Sequence, residues 1–178
     1  ILPYHIDDLS NNYVHIDDFE KQINFIRNNF EICDFSNLNN IKETNHFKAI
    51  ISFDDGYRDN YEYALPVLEN QQVNSIFFIP TYYIDNDTIL WDRYLSLLIN
   101  FANNKSRDFY IYNSEKKIIF QKKMNEIISQ NNFWFLINYF KYRNIEEINF
   151  NLQNIKHQIK FKYSYDENDF CMSSNQIK

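Results

Sequence analysis

The sequence predicts an α/β protein in which parallel strands alternate with helices. Apolar residues recur at helical spacing over about residues 18–29, and the isoleucine-rich run of residues 48–53 has the length of a buried strand. A second helical pattern, from Tyr61 to Leu68, leads into another short apolar run at residues 75–79. This alternation favours a parallel sheet, because right-handed crossovers bring the C-terminal ends of its strands to one side. Functional residues of such folds collect on that side.

Local signals support each element of this first part of the chain. Residues 1–5 form a short apolar run typical of a first strand, with Pro3 where no ladder donor is needed. Asp17 and Glu20 have the three-residue offset of a capping box, which predicts the start of the first helix. Pro66 lies inside the second helical pattern and predicts that this helix is kinked or divided.

The character of the chain changes after Trp91. The sequence predicts a helix at residues 91–102, a hairpin from residues 108–113 and 117–120, and a long helix over residues 121–141. This last helix carries an aromatic face, which indicates packing more often than a binding platform, although an exposed part would mark a surface left by missing strands. The face comprises Phe133, Trp134, Phe135, Tyr139 and Phe140.

Composition and charge exclude several classes of function. With 44% apolar and 19% aromatic residues, a chain of 178 residues can bury a core. Its 18 basic and 24 acidic residues give a net charge of −6 without a basic run, so nucleic acid is not a predicted partner. The sequence contains no apolar stretch of membrane-spanning length. Cys33 and Cys171 lie far apart and match neither a disulfide framework nor a zinc ribbon.

The strongest chemical signal is Asp54-Asp55-Gly56, at the end of the predicted strand 48–53. Gly56 is the only glycine of the chain, whereas average composition would supply about a dozen, so the backbone here is predicted to need glycine. Asp-Asp-Gly is also a common surface turn, but its place directly after a strand favours a functional role. Two adjacent carboxylates repel each other, and a divalent metal is the simplest relief.

The two acids are expected to have different roles, because adjacent residues of a strand point in opposite directions. One carboxylate would hold the metal, and the other would take a proton from the water bound to it. This division of roles suits the hydrolysis of an amide or an ester.

The residues around the acids resemble a known enzyme family. The stretch ISFDDGYRDNY, followed by ALPVLENQQVNSIFFIPTYYI, is similar to the first motif and next strand of the polysaccharide deacetylases, also called the NodB-homology family. ILPYHI, IDDFEKQINFI and EICDFSNL resemble the start of members that open with a Tyr-His strand. LWDRYLSLL resembles the tryptophan-rich segment of some members, and DENDFCMSSNQIK the stretch before the second motif. The resemblance covers most of the chain except about residues 102–160.

This resemblance implies a fold, a cofactor and a substrate. The fold would be an incomplete, distorted (β/α) barrel: residues 1–90 would form its first strands and helices, residues 91–160 an inserted, mostly helical subdomain, and residues 161–178 the return to the barrel. Asp54 would be the catalytic base and Asp55 a ligand of a divalent metal, usually zinc. The substrate would be an acetylated polysaccharide or glycan, which loses acetyl groups from nitrogen or oxygen. A cell-envelope or secreted location is the family expectation.

The histidines depart from the family pattern. The family's second motif supplies two metal-binding histidines four residues apart, and His5, His15, His46 and His157 include no such pair. We therefore expect the chain to stop before that motif and to be inactive as it stands, since one protein ligand holds zinc far more weakly than three. His5, at the end of the first predicted strand, is a candidate contact to the substrate or to a metal ligand, with strand capping as an equal alternative. The other three are interpreted as surface residues.

Other functions remain open. A non-catalytic remnant of the same fold would bind a glycan or another partner without metal chemistry. An aspartate-nucleophile phosphatase also places acids after a strand, but it needs them as D-x-D and ranks last. Trp91 and Asp92 could line a sugar site, because aromatic rings stack on sugars, although a core tryptophan is the more frequent explanation.

Overall fold

The structure, a computed structural model, describes residues 1–4, 9, 12–36, 47–86, 88–162 and 166–177. The chain divides into two compact units. Unit 1 comprises Ile1–Ile6, Tyr13–Thr88 and Asp166–Lys178, and unit 2 comprises Asp7–Asn12 and Ile89–Tyr165. Within the described ranges, none of the helices is both long and apolar enough to cross a membrane.

Unit 1 combines helices with short parallel strands. Its regular elements are α1 (Ile16–Asn29), β1 (Glu31–Ile32), β2 (Lys48–Ala49), β3 (Ile51–Phe53), α2 (Leu65–Asn70) and β4 (Ser75–Phe77). β1 pairs with β2 and β3 pairs with β4, both in parallel. In the second pair, Ile51 lies opposite Ser75 and Phe53 lies opposite Phe77. The mixed helix and strand class predicted from the sequence is confirmed.

The helical stretch that follows the acids changes type next to Pro66, while a kink or a break at this residue remains a prediction. Residues Asn60–Ala64 form a π-helical turn, and α2 begins directly after it with Pro66 in its first turn. Proline has no backbone N–H and is tolerated in a first helical turn, where that donor has no partner within the helix. The backbone remains right-handed helical at Ala64 and Leu65, where the π-helical turn passes into α2.

The core of unit 1 supports the C-terminal end of β3. Phe53 stacks on Phe77 with 4.7 Å between ring centroids, and Phe19 of α1 meets Phe53 edge-on at 5.9 Å. These rings pack with Ile23 of α1 and Leu68 of α2, both buried. Burial of large apolar side chains is the main favourable term in folding, so this cluster fixes the residue that precedes Asp54.

Unit 2 packs three helices against a hairpin. Its elements are α3 (Trp91–Asn104), β5 (Phe109–Tyr112), β6 (Ile118–Lys122), α4 (Gln130–Lys141) and α5 (Ile145–Ile159). β5 and β6 pair antiparallel, which confirms the predicted hairpin. The core takes apolar residues from all five elements, among them Leu98, Phe109, Leu136 and Ile155.

Two side-chain amides of α5 bond to the backbone of β5. Asn151 accepts from the Tyr112 N–H and donates to the Tyr112 carbonyl, both at 2.8 Å. Gln158 bonds to Tyr110 in the same way, at 2.9 and 3.1 Å. Since an amide offers one acceptor and two donors, these side chains satisfy the strand backbone as a third strand would.

The start of α1 differs from the predicted capping box. The helix begins at Ile16, and His15 is its N-cap, with an extended backbone and Nδ1 accepting from the Asp17 N–H at 3.3 Å. Asp17 thus lies inside the first turn, where it cannot cap. His15 is half-buried and its Nε2 lies 3.1 Å from the Pro3 carbonyl. It therefore has structural contacts on both ring nitrogens, whereas the sequence predicted a surface residue.

Other elements also differ from the prediction. The strand predicted at residues 48–53 is interrupted at Ile50, and the run predicted at 75–79 is a strand only to Phe77. Of the predicted first strand, residues 1–4 are described and contain an isolated parallel bridge from Leu2 to His15, while residue 5 lies outside the described part. Across the part of the chain that the structure describes, the strands form three two-stranded sheets and no closed barrel. The barrel remains a prediction, and so does the division of the chain into a first barrel part (1–90), an inserted subdomain (91–160) and a return to the barrel (161–178).

Candidate functional site

The two predicted acids lie in the loop that follows β3. Asp54 and Asp55 are exposed and Gly56 is buried. The N–H of Phe78 donates to the Phe53 carbonyl at 2.8 Å, so the pairing of the two strands continues to the residue before Asp54. Both acids are therefore presented at the C-terminal end of a parallel strand, which is where α/β folds place their sites.

The backbone of this loop turns through two successive left-handed residues. Asp55 has a φ of 67° and Gly56 a φ of 56°. Aspartate tolerates this region better than most residues and glycine adopts it freely. At Gly56 there is a second reason for glycine, because an added Cβ would lie 3.0 Å from both Cγ1 and Cγ2 of Ile79. The structure thus accounts for the only glycine of the sequence.

A segment from the end of unit 1 fastens this loop. The Arg58 N–H donates to the Phe170 carbonyl at 2.9 Å, and the Met172 N–H donates to the Gly56 carbonyl at 2.8 Å. Between them, the Cys171 thiol lies 3.3 Å from the Asp55 carbonyl and donates to it. These bonds hold the backbone from Asp55 to Arg58, and the Phe78–Phe53 bond holds it just before Asp54.

The fastening segment has contacts of its own. Arg58 Nη1 donates to Glu167 Oε2 at 2.9 Å, and the Tyr4 hydroxyl donates to Asp166 at 3.2 Å. Burial, followed by the neighbouring Asp166 carboxylate, raises the pKa of Tyr4. Asp166 and Asp169 form a capping box around a single 3-10 turn. The segment therefore has a defined conformation beside the acids.

The donors around the loop do not complete a zinc site in the described part of the chain. Across residues 1–4, 9, 12–36, 47–86, 88–162 and 166–177, no three histidine, cysteine or acidic side chains lie together as a metal-binding group. A catalytic zinc normally takes three protein ligands, and the loop offers two neighbouring carboxylates. These residues by themselves do not fit the ion. The candidate His5, like His46, lies outside the described residues.

The other predicted candidates lie in unit 2. Trp91 packs on the core with its ring edge-on to Phe140 at 6.2 Å, which agrees with a core role. Asp92 follows in the first turn of α3, and its Oδ1 is buried without a hydrogen-bond partner in the described residues. Burial raises the pKa of Asp92, against the opposing effect of the Arg93 backbone N–H. His157 is exposed in the last turn of α5.

Replacing Asp92 by asparagine is expected to stabilise unit 2 at neutral pH. The pKa of Asp92 is higher in the folded state than in the unfolded state, so the neutral carboxyl group is the form that the fold favours. Its contribution to stability is complete below the unfolded-state pKa near 4, and it is lost as the pH rises through the folded-state pKa. Asparagine mimics the neutral form at every pH. The melting temperature of unit 2 should rise by about 4–8 °C at pH 7, the shift that about 1 kcal/mol produces in a unit of this size.

Thermal melts of both proteins between pH 3 and 7 check this prediction. The difference in melting temperature should grow with pH, whereas Glu146→Gln, at an exposed acid in the first turn of α5, should show little change. A constant difference across this range would show that ionisation of Asp92 is not the cause.

The aromatic face of α4 is divided between core and surface. Phe133 and Phe140 are buried, while Phe135 is 54% exposed and Trp134 is 38% exposed. Phe133 and Phe140 therefore have the packing role that the sequence predicted. The helix also begins at Gln130, not at residue 121, because Gln121 and Lys122 complete β6 and Ser129 caps the helix by accepting from the Asn132 N–H.

A small cleft in unit 1 contains residues that the sequence interpretation missed. Its volume is about 240 Å³, and its lining comprises Arg58, Asp85, Asn86, Phe170, Cys171 and Ser173. One signal could have found part of it: Asp85 and Asn86 lie in the segment that follows β4, the parallel neighbour of β3, although a 3-10 turn at Thr81–Tyr83 separates them from that strand. The remaining residues come together only through the fold.

Comparison with protein families identifies one match. The family described as "Polysaccharide deacetylase" matches residues 41–108, which is well under half of the chain. The matched segment includes β2, β3, both acids, α2, β4 and α3, and it begins after α1 and β1. No curated protein and no solved structure matches the chain. The match agrees with the family resemblance of the acid motif: residues 41–108 match the polysaccharide deacetylase family.

Proposed function

We propose that the protein carrying this sequence removes acetyl groups from the N-acetylated or O-acetylated sugars of a polysaccharide. The observation that carries this proposal is the pair of exposed acids at the C-terminal end of β3, inside the segment that matches the deacetylase family. We extend the proposal to the fold, in which the parallel strands of unit 1 are the first strands of a distorted (β/α) barrel.

Asp54 and Asp55 have separate roles in this proposal. Asp54 accepts a proton from the water that attacks the acetyl carbonyl carbon, and the products are acetate and a free amine or hydroxyl. Its exposure leaves the carboxylate accessible to substrate and water. Asp55 would provide one oxygen ligand to a divalent metal, zinc in our proposal, and the bound ion would supply Lewis-acid chemistry and a more acidic water.

The incomplete ligand set limits what residues 1–178 do by themselves. The chain has no pair of histidines four residues apart, and the described residues contain no three-member ligand group. We therefore expect these residues alone to release no acetate. The same observation favours a second candidate, a remnant of the fold that binds a glycan or another partner without metal chemistry.

Acetate release from acetylated glycans tests the proposal. N-acetylglucosamine oligomers and an O-acetylated xylan would be incubated with the protein that carries this sequence, with zinc or with a chelator. Asp54→Asn should lower the rate by at least about 100-fold, the lower range for loss of a general base. Asp18→Asn, at an exposed acid of α1, is the matched control and should leave the rate unchanged.

The outcomes separate the two candidates. Acetate release that depends on Asp54 and stops with the chelator supports the deacetylase. Equal rates for the parent protein and Asp54→Asn would refute the role of Asp54. Binding of the oligomers without any release of acetate would instead establish the glycan-binding remnant.

A further inference from the structure

A short segment, residues 170–172, lies along the acid loop, residues 54–58. The two are joined by an isolated antiparallel bridge between Cys171 and Tyr57, and backbone hydrogen bonds of 2.9 and 2.8 Å flank this bridge. Antiparallel neighbours fix each other's backbone through such bonds. The acid loop therefore takes part of its shape from a segment 116 residues further along the chain.

Asp55 is the residue of this loop that depends most on outside support. Its φ of 67° lies in the left-handed region, which a residue with a Cβ adopts at a cost unless its surroundings hold it there. Gly56 follows at 56° without that cost. The Asp55 carbonyl belongs to the peptide group between these two residues, and it accepts from the Cys171 thiol at 3.3 Å. This bond thus holds the left-handed pair in place.

The thiol is presented from a defined position. Cys171 is 4% exposed, and the residues before it are fixed by bonds of their own. Asp166 and Asp169 form a capping box around a single 3-10 turn, and Glu167 pairs with Arg58 at 2.9 Å. An S–H group is a weak donor, but a donor that is already oriented loses little conformational entropy when it bonds. A single thiol is therefore enough to bias the loop.

Cys171 also lies outside the part of the chain that matches the deacetylase family. That match covers residues 41–108 and includes both acids, so it assigns no role to the segment that holds them. The role of the cysteine follows from the fold of unit 1, which brings it to the acid loop.

We propose that Cys171 is a positioning residue for deacetylation, because its thiol keeps the peptide between Asp55 and Gly56 left-handed and so keeps the two carboxylates in their productive arrangement. This inference rests on the proposed deacetylase function. Cys171 acts through the loop and touches no reacting atom. Loss of its bond lowers the fraction of molecules whose acids are correctly placed, and the rate of the chemical step falls with that fraction.

Steady-state acetate release from the N-acetylglucosamine tetramer tests this role in the protein that carries this sequence. Cys171→Ala should lower kcat by about three- to tenfold, the range for one lost hydrogen bond. KM should change by less than about twofold, because the contacts to the substrate remain. Cys171→Ser keeps a hydroxyl donor and should retain kcat within about twofold of the parent value.

The second cysteine provides a matched control. Cys33 belongs to the same unit, and its thiol also donates to a backbone carbonyl, that of Glu31 at 3.7 Å. Cys33→Ala therefore removes the same kind of bond away from the acid loop. It should leave both kcat and KM unchanged.

Amide hydrogen exchange tests the same role without catalysis. The N–H groups of Arg58 and Met172 bond between the loop and the segment, so their exchange reports the opening of this contact. In Cys171→Ala both amides should exchange about three- to tenfold faster, while the amides of β3 and β4 keep their parent rates. Cys171→Ser and Cys33→Ala should behave like the parent protein.

Each outcome decides the proposal. Faster loop exchange and a lower kcat in Cys171→Ala, both restored in Cys171→Ser, support the positioning role. Parent-like values in Cys171→Ala, equal acceleration across β3 and β4, or faster loop exchange with an unchanged kcat would overturn it. If the parent protein releases no acetate while loop exchange follows the expected pattern, the deacetylase proposal fails and the hold of Cys171 on the loop is still supported.

Discussion

Replacing Asn151 by alanine is expected to lower the free energy of unfolding of unit 2 by about 2–4 kcal/mol. Asn151 is fully buried, and it bonds to both the N–H and the carbonyl of Tyr112 at 2.8 Å and to the Glu147 carbonyl at 3.1 Å. Alanine would leave the two backbone groups of β5 without partners in an apolar interior. Unsatisfied buried groups of this kind cost about 1–3 kcal/mol each.

Tryptophan fluorescence measures this effect in unit 2 alone, because Trp91 and Trp134 are the two tryptophans of the chain and both belong to that unit. Urea unfolding followed by this signal should give a lower midpoint for Asn151→Ala. Asn154→Ala, at a half-buried asparagine on the same helix, is the control and should change stability by about 0.5 kcal/mol or less. Equal losses in the two variants would contradict the bonding role of Asn151.

Replacing Gly56 by alanine is expected to destabilise unit 1 by about 2–4 kcal/mol. A left-handed backbone costs a residue with a Cβ about 1–2 kcal/mol, and a contact of 3.0 Å with Ile79 adds the further cost of overpacking, about 1–3 kcal/mol. Relaxation of Ile79 would also move β4 relative to the acid loop. The change should therefore reduce acetate release as well as stability.

A double variant separates the two causes. Ile79→Ala removes Cγ1 and Cγ2, the two atoms nearest to the new Cβ, and leaves the Ile79 Cβ at 3.3 Å, so Gly56→Ala in that background should cost little more than the backbone term of about 1–2 kcal/mol. Amide hydrogen exchange of the residues of β3 and β4 reports the loss in unit 1 directly. An unchanged exchange rate in the Gly56→Ala protein would show that the loop does not need glycine.

The parts of the fold that the sequence predicts well have local causes. The helical stretch around Pro66 changes from a π-helical turn to an α-helix next to the proline, which lacks one backbone donor, and the 109–122 hairpin follows from two short apolar runs with a polar connection. The acid loop was found because its only glycine coincides with the end of a strand. These signals lie within a few residues of the feature they predict.

The errors have equally physical causes. The start of α4 was placed nine residues too early because apolar periodicity does not distinguish the end of β6 from a helix. α5 was not predicted as a helix, although Asn144 caps it and its buried residues Ile148, Leu152 and Ile155 recur at helical spacing. The cleft was missed because Arg58 and Ser173 are brought together by long-range pairing, which no local pattern encodes.

The sequence predicts the two acids of the candidate site, but it does not predict the residues that hold their loop in place. Asp54 and Asp55 occupy the exposed end of a parallel strand, as the strand pattern requires. The hydrogen bonds that fasten their backbone come from Phe170, Cys171 and Met172, more than 100 residues away along the chain. Their metal-binding and catalytic roles remain predictions.

The most direct test of the central claim, that the acid loop is a metal-dependent deacetylase site, is zinc binding by calorimetry. The protein that carries this sequence would be compared with its Asp55→Ala variant. We predict one zinc ion per chain in the parent protein and at least about tenfold weaker binding without Asp55, because loss of one protein ligand weakens a catalytic zinc site. Equal affinity with and without Asp55, or no zinc binding by the parent protein, would contradict the claim.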